Sequence, residues 1–183
     1  RMGFPAHRVS ALNNGIDVAS VDAAVSSWDA SRLDAFRTQH GLDGKSWVAF
    51  IGRLRPRSGV ELLPELLSRL PASIGVIIVG DGELRAQTAA AFDAHGLGER
   101  VRWAGAIYEN DRLAPWMMAA RCMFYPGTVG LSLIHALAYG LPVVVHDEAT
   151  EHGPEIAALQ PGVNGATFRR SAGAASAAEV ISG

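Results

Sequence analysis

The stretch FYPGTVGLSLIHALAYGLPVVVH, residues 124–146, decides the fold of this chain. An apolar run at residues 122–125 predicts the end of a buried strand, and a second run at residues 142–145 predicts another strand. Between them the pattern is helical over residues 131–139. It ends at Gly140, a residue type that is typical of a left-handed helix C-cap. The order of strand, glycine-containing loop, helix and strand is that of a βαβ unit.

Strands and helices alternate along the chain on both sides of this unit. Further strands are predicted at residues 47–51, 74–79, 101–104 and 166–168, and helices at residues 29–40, 60–70, 83–95 and 111–120. This alternation predicts a Rossmann-like three-layer α/β/α sandwich with a mainly parallel sheet. Residues 1–28 are poorly periodic, with one candidate short strand at residues 9–12.

The loops that follow the strands should meet, because ligands bind beyond the carboxyl ends of the strands in an open parallel sheet. The loops concerned are residues 52–59, 80–82, 105–110, 126–130 and 146–153. We therefore predict one binding site, along that edge of the sheet.

The composition limits the class of protein. With 183 residues, of which 49% are hydrophobic, the chain is large enough for one domain with a packed core. A net charge of -2 gives no electrostatic case for nucleic acid, and we recognise neither a membrane-spanning run nor a secretory leader. The single cysteine, Cys122, lies in an apolar run and is expected to be a buried hydrophobic residue. We expect a cytoplasmic location.

Three arginines follow the strand predicted at residues 47–51. A guanidinium offers paired donors that match phosphate oxygens. Arg53, directly after Gly52, is the best placed of the three to bind a phosphate group. For Arg55 and Arg57, further along the same loop, the favoured interpretation is a solvated role.

Gly80, Asp81 and Gly82 form a tight turn between a strand and a helix. They match only part of a dinucleotide-binding fingerprint, because the third glycine is lacking. Two interpretations remain open: a simple left-handed turn, or a close approach of the backbone to a ligand.

The loop before the helix at residues 131–139 offers backbone N–H groups where the helix dipole favours an anion. The residues concerned are Gly127, Thr128, Val129, Gly130 and Leu131, with the hydroxyl of Ser132 as a further donor. The alternative is ordinary capping of the helix. We favour anion binding, because this loop is expected to face Arg53.

His135 shares one helical face with Ser132 and Tyr139. It is either a partly buried packing residue or a group that bonds a ligand. A cluster of imidazole and carboxylate groups follows at residues 146–155, and its spacing matches no metal motif, so no metal site is predicted. From this cluster we keep His152 and Glu155 as candidates for the site.

Six short motifs follow one another in a fixed order. They are NGID at 14–17, FIGRL at 50–54 with Gly59, IVGDGE at 78–83, VRWAG at 101–105, GLSLIHALAYGLPVV at 130–144, and PE at 154–155 with NG at 164–165. Together they resemble the C-terminal, donor-binding half of a family 4 retaining glycosyltransferase with the two-domain GT-B fold. The resemblance covers about residues 9–170. It implies that residues 1–183 are a single nucleotide-sugar-binding domain and that the N-terminal acceptor domain of a longer protein is absent.

The resemblance implies roles for individual residues. Arg53 corresponds to the arginine that binds the donor diphosphate, while the family's partner lysine falls on Ser58, so that its role is lost or passes to Arg57. The phosphate-binding amides map to Val129, Gly130 and Leu131, and the base-binding segment maps to Gly105, Ala106 and Ile107.

Two further positions depart from the family pattern. The family's Glu-x7-Glu pair, whose first member contacts the donor sugar and whose second contacts the ribose, corresponds here to Gly127 and His135. His135 still offers a hydrogen bond to a ribose hydroxyl, whereas Gly127 cannot replace a carboxylate. We therefore expect Arg53 and His135 to carry the chemistry and the contact with the sugar to be reduced.

Three functions remain open. The first is retaining transfer of a sugar from a nucleoside diphosphate to a glycan or lipid-linked acceptor, with no metal or other cofactor. In that case the acceptor and any membrane association belong to the absent domain, and the isolated domain is expected to be inactive. The second is a non-catalytic nucleotide-binding module of the same fold, and the third is a nucleotide-sugar epimerase.

Overall fold

Six strands form one sheet in the computed structural model, which describes residues 14–183. The short strand expected at residues 9–12 lies outside the described residues. The strands are β1 Ser46–Ile51, β2 Ile74–Val79, β3 Val101–Gly105, β4 Ala120–Tyr125, β5 Val143–His146 and β6 Gly165–Phe168. The strands predicted from the apolar runs are thus confirmed to within two residues.

Seven α-helices accompany the strands in the described part of the chain. They are α1 Val18–Ser26, α2 Ala30–Gln39, α3 Leu63–Arg69, α4 Arg85–Ala94, α5 Asn110–Met118, α6 Leu131–Ala138 and α7 Gly173–Ser182. Helix α1 was not predicted, because its sequence lacks a clear apolar stripe. It is stabilised by the Asp17 carboxylate, which accepts a hydrogen bond from the Ser20 N–H, and by the burial of Val21 and Ala24.

Several helix ends differ from the prediction. Helix α3 begins at Leu63 and not at residue 60, and α5 ends at Met118, two residues early. A short 3-10 helix, Pro154–Ala158, lies between β5 and β6. The expected C-cap is found at Gly140, which follows α6 with a φ of 70°, the left-handed conformation.

All five neighbouring strand pairs are parallel, and the order across the sheet is β3-β2-β1-β4-β5-β6. Helices α3, α4 and α7 pack together on one face, and α1, α2, α5 and α6 pack on the other. This is the predicted three-layer Rossmann-like sandwich. The strand order reverses between β1 and β4, so the loops after these two strands lie at the topological switch point, where ligands bind in such folds.

The core lies between the sheet and both helical layers. Every residue of β2 is buried, and Trp47 at the start of β1 is fully buried with its indole N–H donated to the Leu42 carbonyl at 2.7 Å. Cys122 is also buried, and burial raises the pKa of its thiol to about 11. The cysteine is therefore a neutral packing residue, as expected.

Candidate functional site

The first cleft lies over the carboxyl ends of β1, β2 and β3 and has a volume of about 740 Å³. Its lining residues are Ile51, Gly52, Arg53, Val79, Gly80, Asp81, Gly82, Glu83, Ala106, Ile107 and Tyr108. Three of the predicted loops therefore converge, and they bring together Gly52, Arg53, Gly80, Asp81, Ala106 and Ile107 from the predicted site. The volume suits a small organic ligand.

In the wall of the first cleft, the backbones of the loops after β1 and β2 are in direct contact. Gly80 has a φ of 148°, and a Cβ at this position would collide with the carbonyl group of Gly52. The Leu54 N–H donates to the Asp81 carbonyl at 3.0 Å, and the Leu84 N–H donates to the Leu54 carbonyl at 3.1 Å. Gly80 therefore allows a close approach between two loops of the protein itself. These are the loop after β1, residues 52–59 (the β1 loop), and the loop after β2, residues 80–82 (the β2 loop).

Gly105 closes the same wall from the β3 side. It ends β3 with a φ of 73°, and its carbonyl accepts the Gly80 N–H at 2.7 Å. The next two residues, Ala106 and Ile107, line the cleft, as the base-binding segment was expected to do. Gly105 itself supports the wall through its backbone.

Arg53 carries the unpaired positive charge of the first cleft. Its side chain is exposed and forms no ion pair or hydrogen bond with any residue that the structure describes. Two carboxylates, Asp81 and Glu83, share the lining, and Asp81 already accepts a hydrogen bond from the Gly82 N–H at 2.7 Å. The guanidinium of Arg53 is therefore available to a phosphate group, and the two carboxylates are placed to accept hydrogen bonds from hydroxyl groups of a ligand.

A second cleft, of about 610 Å³, lies on the other side of the β1 loop. Its lining residues are Pro56, Arg57, Gly59, Leu62, Pro126, Gly127, Thr128, Glu151, Phe168, Arg170 and Gly173. Arg57 belongs to this cleft, whereas Arg53 belongs to the first. Arg57, the residue to which the lysine's role could pass, thus lines a different cleft from Arg53.

Ser58 has a structural role. Its side chain is fully buried, its hydroxyl donates to the Arg55 carbonyl at 2.6 Å, and it accepts the Arg55 N–H at 3.3 Å. The prediction that Ser58 binds the donor is therefore corrected: the side chain closes the β1 loop upon itself. The position of the family's lysine is occupied by a residue that cannot reach either cleft in this arrangement.

The loop before α6 has fewer free N–H groups than predicted. The Gly127 N–H donates to the Ser58 carbonyl and the Thr128 N–H to the Arg57 carbonyl, each at 3.0 Å. The Val129 N–H donates to Nδ1 of His152 at 3.2 Å. These three amides join the loops to one another and are not available to an anion.

Three N–H groups remain at the N-terminus of α6. Those of Gly130, Leu131 and Ser132 find no acceptor among the described residues. They stand at the positive end of the helix dipole, where an anion is favoured. The predicted anion site is thus shifted toward the helix by about one residue.

His152 lies behind this loop. Its Nδ1 accepts from Val129, and its Nε2 lies 3.0 Å from the His146 carbonyl oxygen. Both ring nitrogens are therefore used within the protein, and the prediction that His152 binds the donor directly is corrected. The residue holds the loop that leads into α6.

His146 belongs to the cluster at residues 146–155 but was not kept as a candidate, because its burial arises only in the folded sheet. It ends β5, is 1% exposed, and stacks on His152 with ring centroids 4.0 Å apart. Burial, with smaller contributions from His152 and Arg170, lowers the pKa of His146 to about 4. Its Nδ1 accepts the Glu148 N–H at 3.3 Å, so the proton of the neutral ring is on Nε2, which has no partner among the described residues.

Glu155 lies beneath the N-terminus of α6. It is 8% exposed, its Oε1 accepts a hydrogen bond from the Asn14 side-chain amide at 2.5 Å, and its Oε2 faces Gly130 and Gly153. A carboxylate here complements the helix dipole. Glu155 therefore joins the start of the described chain to the candidate anion site.

His135 is half-buried on α6, and burial lowers the pKa of its ring. The ring lies 5.8 Å from that of Tyr139, whose hydroxyl donates to the side-chain oxygen of Asn110 at 3.1 Å. Within the described residues, the linings of the first and second clefts do not include His135. Its expected contact with a ribose stays a prediction.

Tyr108 is the aromatic residue of the first cleft, and it was not among the predicted site residues. It directly follows the predicted base-binding segment and is 87% exposed. A large aromatic side chain left open to solvent at the wall of a cleft offers a face on which a planar ring can stack. Its place next to Ile107 in the sequence was the available clue.

None of the helices in residues 14–183 combines the length and the apolarity that a bilayer span requires.

The strand order, the switch point and the glycine-rich loops define a Rossmann-type ligand-binding domain. The family model for glycosyl transferases group 1 matches residues 45–182. The chain therefore belongs to that family.

Sequence relatives include longer transferases. The chain is 30% identical over 149 residues to the D-inositol 3-phosphate glycosyltransferase of Xylanimonas cellulosilytica, in an alignment that covers 78% of this chain and 36% of the relative. It is also 30% identical over 151 residues to the glycogen synthase of Deinococcus deserti, covering 75% and 33% of the two chains. The chain thus spans about a third of the length of these relatives.

Solved structures show the same fold. HepE of Anabaena, solved in complex with UDP and glucose, superposes with a TM-score of 0.77 at 23% identity, over 98% of this chain and 48% of HepE. The C-terminal domain of LpcC, a glycosyl transferase group 1 family protein of Francisella tularensis, gives a TM-score of 0.69 at 16% identity, over 91% and 86% of the two chains. The predicted fold, that of one half of a GT-B enzyme, is confirmed.

Proposed function

We propose that this chain is the donor-binding domain of a retaining glycosyltransferase of family 4, in which it binds a nucleoside diphosphate sugar. The observation that carries the proposal is the unpaired Arg53 in the first cleft, at the edge of the sheet where α6 also begins. A guanidinium and free helix amides are the groups that suit a diphosphate. HepE, which has this fold, was solved with UDP and with UDP-glucose, so UDP is the first nucleotide to test.

In this proposal the nucleotide lies across the first cleft. Ala106 and Ile107 meet the base, Tyr108 stacks on it, and the diphosphate extends toward Arg53 and α6. Arg53 and the amides of α6 stabilise the negative charge that develops on the departing diphosphate. The leaving phosphate then helps to deprotonate the acceptor on the same face of the sugar, which retains the anomeric configuration.

The acceptor is proposed to bind on a second domain. The relatives are roughly three times as long as the aligned segment, so they contain additional chain. A glycan or a lipid-linked sugar is the proposed acceptor class. On this proposal the 183-residue chain binds a donor but does not transfer its sugar. Turnover by this chain alone at a rate typical of enzymes would contradict the two-domain proposal.

One observation favours a second candidate, a nucleotide-binding module without transfer activity. A Cβ on Gly127 would collide with backbone atoms of Arg57, Ser58 and Gly59. The position at which the family carries its sugar-binding carboxylate therefore has no room for a side chain in this loop. Binding of the nucleotide does not depend on that carboxylate, whereas recognition of the sugar does.

Calorimetric titration of the chain with UDP, GDP and ADP, each with and without its sugar, tests the proposal. We expect one diphosphate to bind, with little gain in affinity from the sugar because Gly127 offers it no group. Absence of binding by all of them would contradict donor binding by this domain. A transfer assay on the full-length protein with the preferred donor then separates the transferase from the binding module.

A further inference from the structure

Val129, the residue before the N-cap of α6, is held by two consecutive residues of the β5 loop. Its N–H donates to Nδ1 of His152 at 3.2 Å, and its carbonyl accepts the Gly153 N–H at 2.8 Å. Its side chain is fully buried. Both polar groups of the Val129 backbone and its side chain are therefore fixed before the helix begins.

His152 is itself fixed in ring orientation and in tautomer. Because Nδ1 accepts from Val129, the proton of the neutral ring is on Nε2, which donates to the His146 carbonyl at 3.0 Å. The His146 ring stacks on that of His152 at 4.0 Å between centroids and an angle of 28°. The imidazole is thus a rigid link between the end of β5 and the loop before α6.

The amides that follow Val129 have no side chain to orient them. Gly130, the N-cap of α6, makes no side-chain cap, and the N–H groups of Gly130, Leu131 and Ser132 have no acceptor among the described residues. Their directions are set by the peptide before them, which His152 and Gly153 hold. Donors that are already oriented bind an anion more tightly than donors that must be ordered on binding.

We propose that His152 is a positioning residue for the anion-binding end of α6, acting through the backbone of Val129 and not by contact with the ligand. This inference rests on the proposed function, since it concerns the site where the donor diphosphate would bind. The neutral ring supplies the acceptor at Nδ1 that no other described side chain gives to Val129.

Two substitutions of His152 separate the roles of its Nδ1 and Nε2 atoms. In His152→Asn the side-chain oxygen stands near the place of Nδ1, so that it accepts from Val129, while the link to His146 is lost. In His152→Gln the amide reaches toward the place of Nε2, so that the His146 link is kept and the acceptor for Val129 is lost. His152→Ala removes both hydrogen bonds. His95→Ala, at the exposed residue that follows α4, serves as the control.

The test is calorimetric titration of these variants with UDP, with inorganic pyrophosphate as a probe without a base, and with uridine as a probe without a phosphate. We expect His152→Ala and His152→Gln to bind UDP and pyrophosphate about tenfold more weakly than the wild type. His152→Asn should stay within about threefold, and uridine binding should be unchanged in all variants. Rescue by Asn but not by Gln is not expected from a purely structural role of the ring.

An amide NMR spectrum gives a readout without ligand. The resonances of Gly130, Leu131 and Ser132 should shift in His152→Ala and return close to their wild-type positions in His152→Asn. Equal affinities of wild type and His152→Ala for UDP and pyrophosphate would overturn the inference while leaving donor binding intact. Failure of the wild type to bind either phosphate probe would overturn the proposed function, and the role of His152 in it.

Discussion

The two sides of the carboxyl edge of the sheet are built by different means. On the side of β1, β2 and β3, the loops are held by main-chain contacts such as the hydrogen bonds between Leu54 and the β2 loop and the approach of Gly80 to Gly52. On the side of β4, β5 and β6, side chains add to the main-chain contacts: His152 holds the loop before α6, and Glu155 is bonded to Asn14.

The two sides are therefore sensitive to different changes, one to added side-chain volume and the other also to pH. A side built from backbone tolerates no added volume at its glycines, but it carries few titratable groups in its framework. The side that also uses imidazoles and carboxylates has glycines without room for a side chain too, such as Gly127, but its stability depends in addition on protonation.

The largest effect is expected from Gly80→Ala. The added Cβ would meet the Gly52 carbonyl at a φ of 148°, so we expect a loss of about 4 kcal/mol in the free energy of unfolding, from strain and overpacking together. Denaturant unfolding measures it. Gly15→Ala is the matched control, because a Cβ there meets nothing within 4 Å. A stability equal to that of the control would show that the β1 and β2 loops are not locked in this way.

The next effect is a dependence of stability on pH that His146 causes. Its pKa is about 4 in the folded protein and near 6.5 when unfolded, so the unfolded chain binds more protons between these values. Stability from the neutral buried ring is therefore complete above pH 6.5 and decreases by up to about 3 kcal/mol as the pH falls to 4.

His146→Phe keeps a flat ring and removes the titration. Unfolding free energies measured from pH 8 to pH 4 should fall less steeply for this variant than for the wild type, and the two should differ by about 1 kcal/mol or less at pH 8. Parallel curves for wild type and His146→Phe would mean that the ring is not held neutral in the fold.

Arg53→Ala tests the binding capacity of the β1 side. Loss of a charge-assisted hydrogen bond to the diphosphate should weaken nucleoside diphosphate binding by about 1.5–3 kcal/mol. Arg55→Ala is the control, because Arg55 is in the same loop and exposed, but absent from the described linings of the first and second clefts. An unchanged dissociation constant for Arg53→Ala would remove Arg53 from the site.

The smallest effect is expected from His135→Ala. If its ring bonds a ribose hydroxyl, UDP affinity should fall by about 1 kcal/mol while the affinity for inorganic pyrophosphate stays the same. Titration of both ligands measures the difference. Equal losses for the two ligands would instead point to a general effect on α6, and no loss for either would confine His135 to packing.

The sequence predicted the fold because the strands of a covered parallel sheet are continuous apolar runs, and α3, α4 and α6 are each followed within two residues by a proline or a glycine. It also predicted the first cleft, since Gly52, Arg53 and Gly80 directly follow strands. Helix α1 escaped because its stability comes from a cap and from packing of Val21, which no periodicity reveals.

The other side of the edge could be predicted only in part. The region of the free amides was foreseen from the βαβ pattern, but which amides are free depends on partners far away in sequence. The Val129 N–H donates to the His152 ring, and the Gly127 N–H donates to the Ser58 carbonyl. Such pairings arise from tertiary structure and cannot be read from residue type and spacing. The sequence therefore suggested that His152 binds a ligand, whereas both of its ring nitrogens are bonded within the protein.

The pairing of β1 with β4 has a consequence for how the chain folds. It aligns Trp47 with Ala120, so the centre of the sheet joins segments roughly seventy residues apart. During synthesis, β1 is complete roughly seventy residues before β4 emerges, so the β1 edge that pairs with β4 stays open over that length of chain. Parallel sheets of this kind fold slowly because distant segments must meet. We therefore expect the chain to be most exposed to aggregation while this edge of β1 is unpaired.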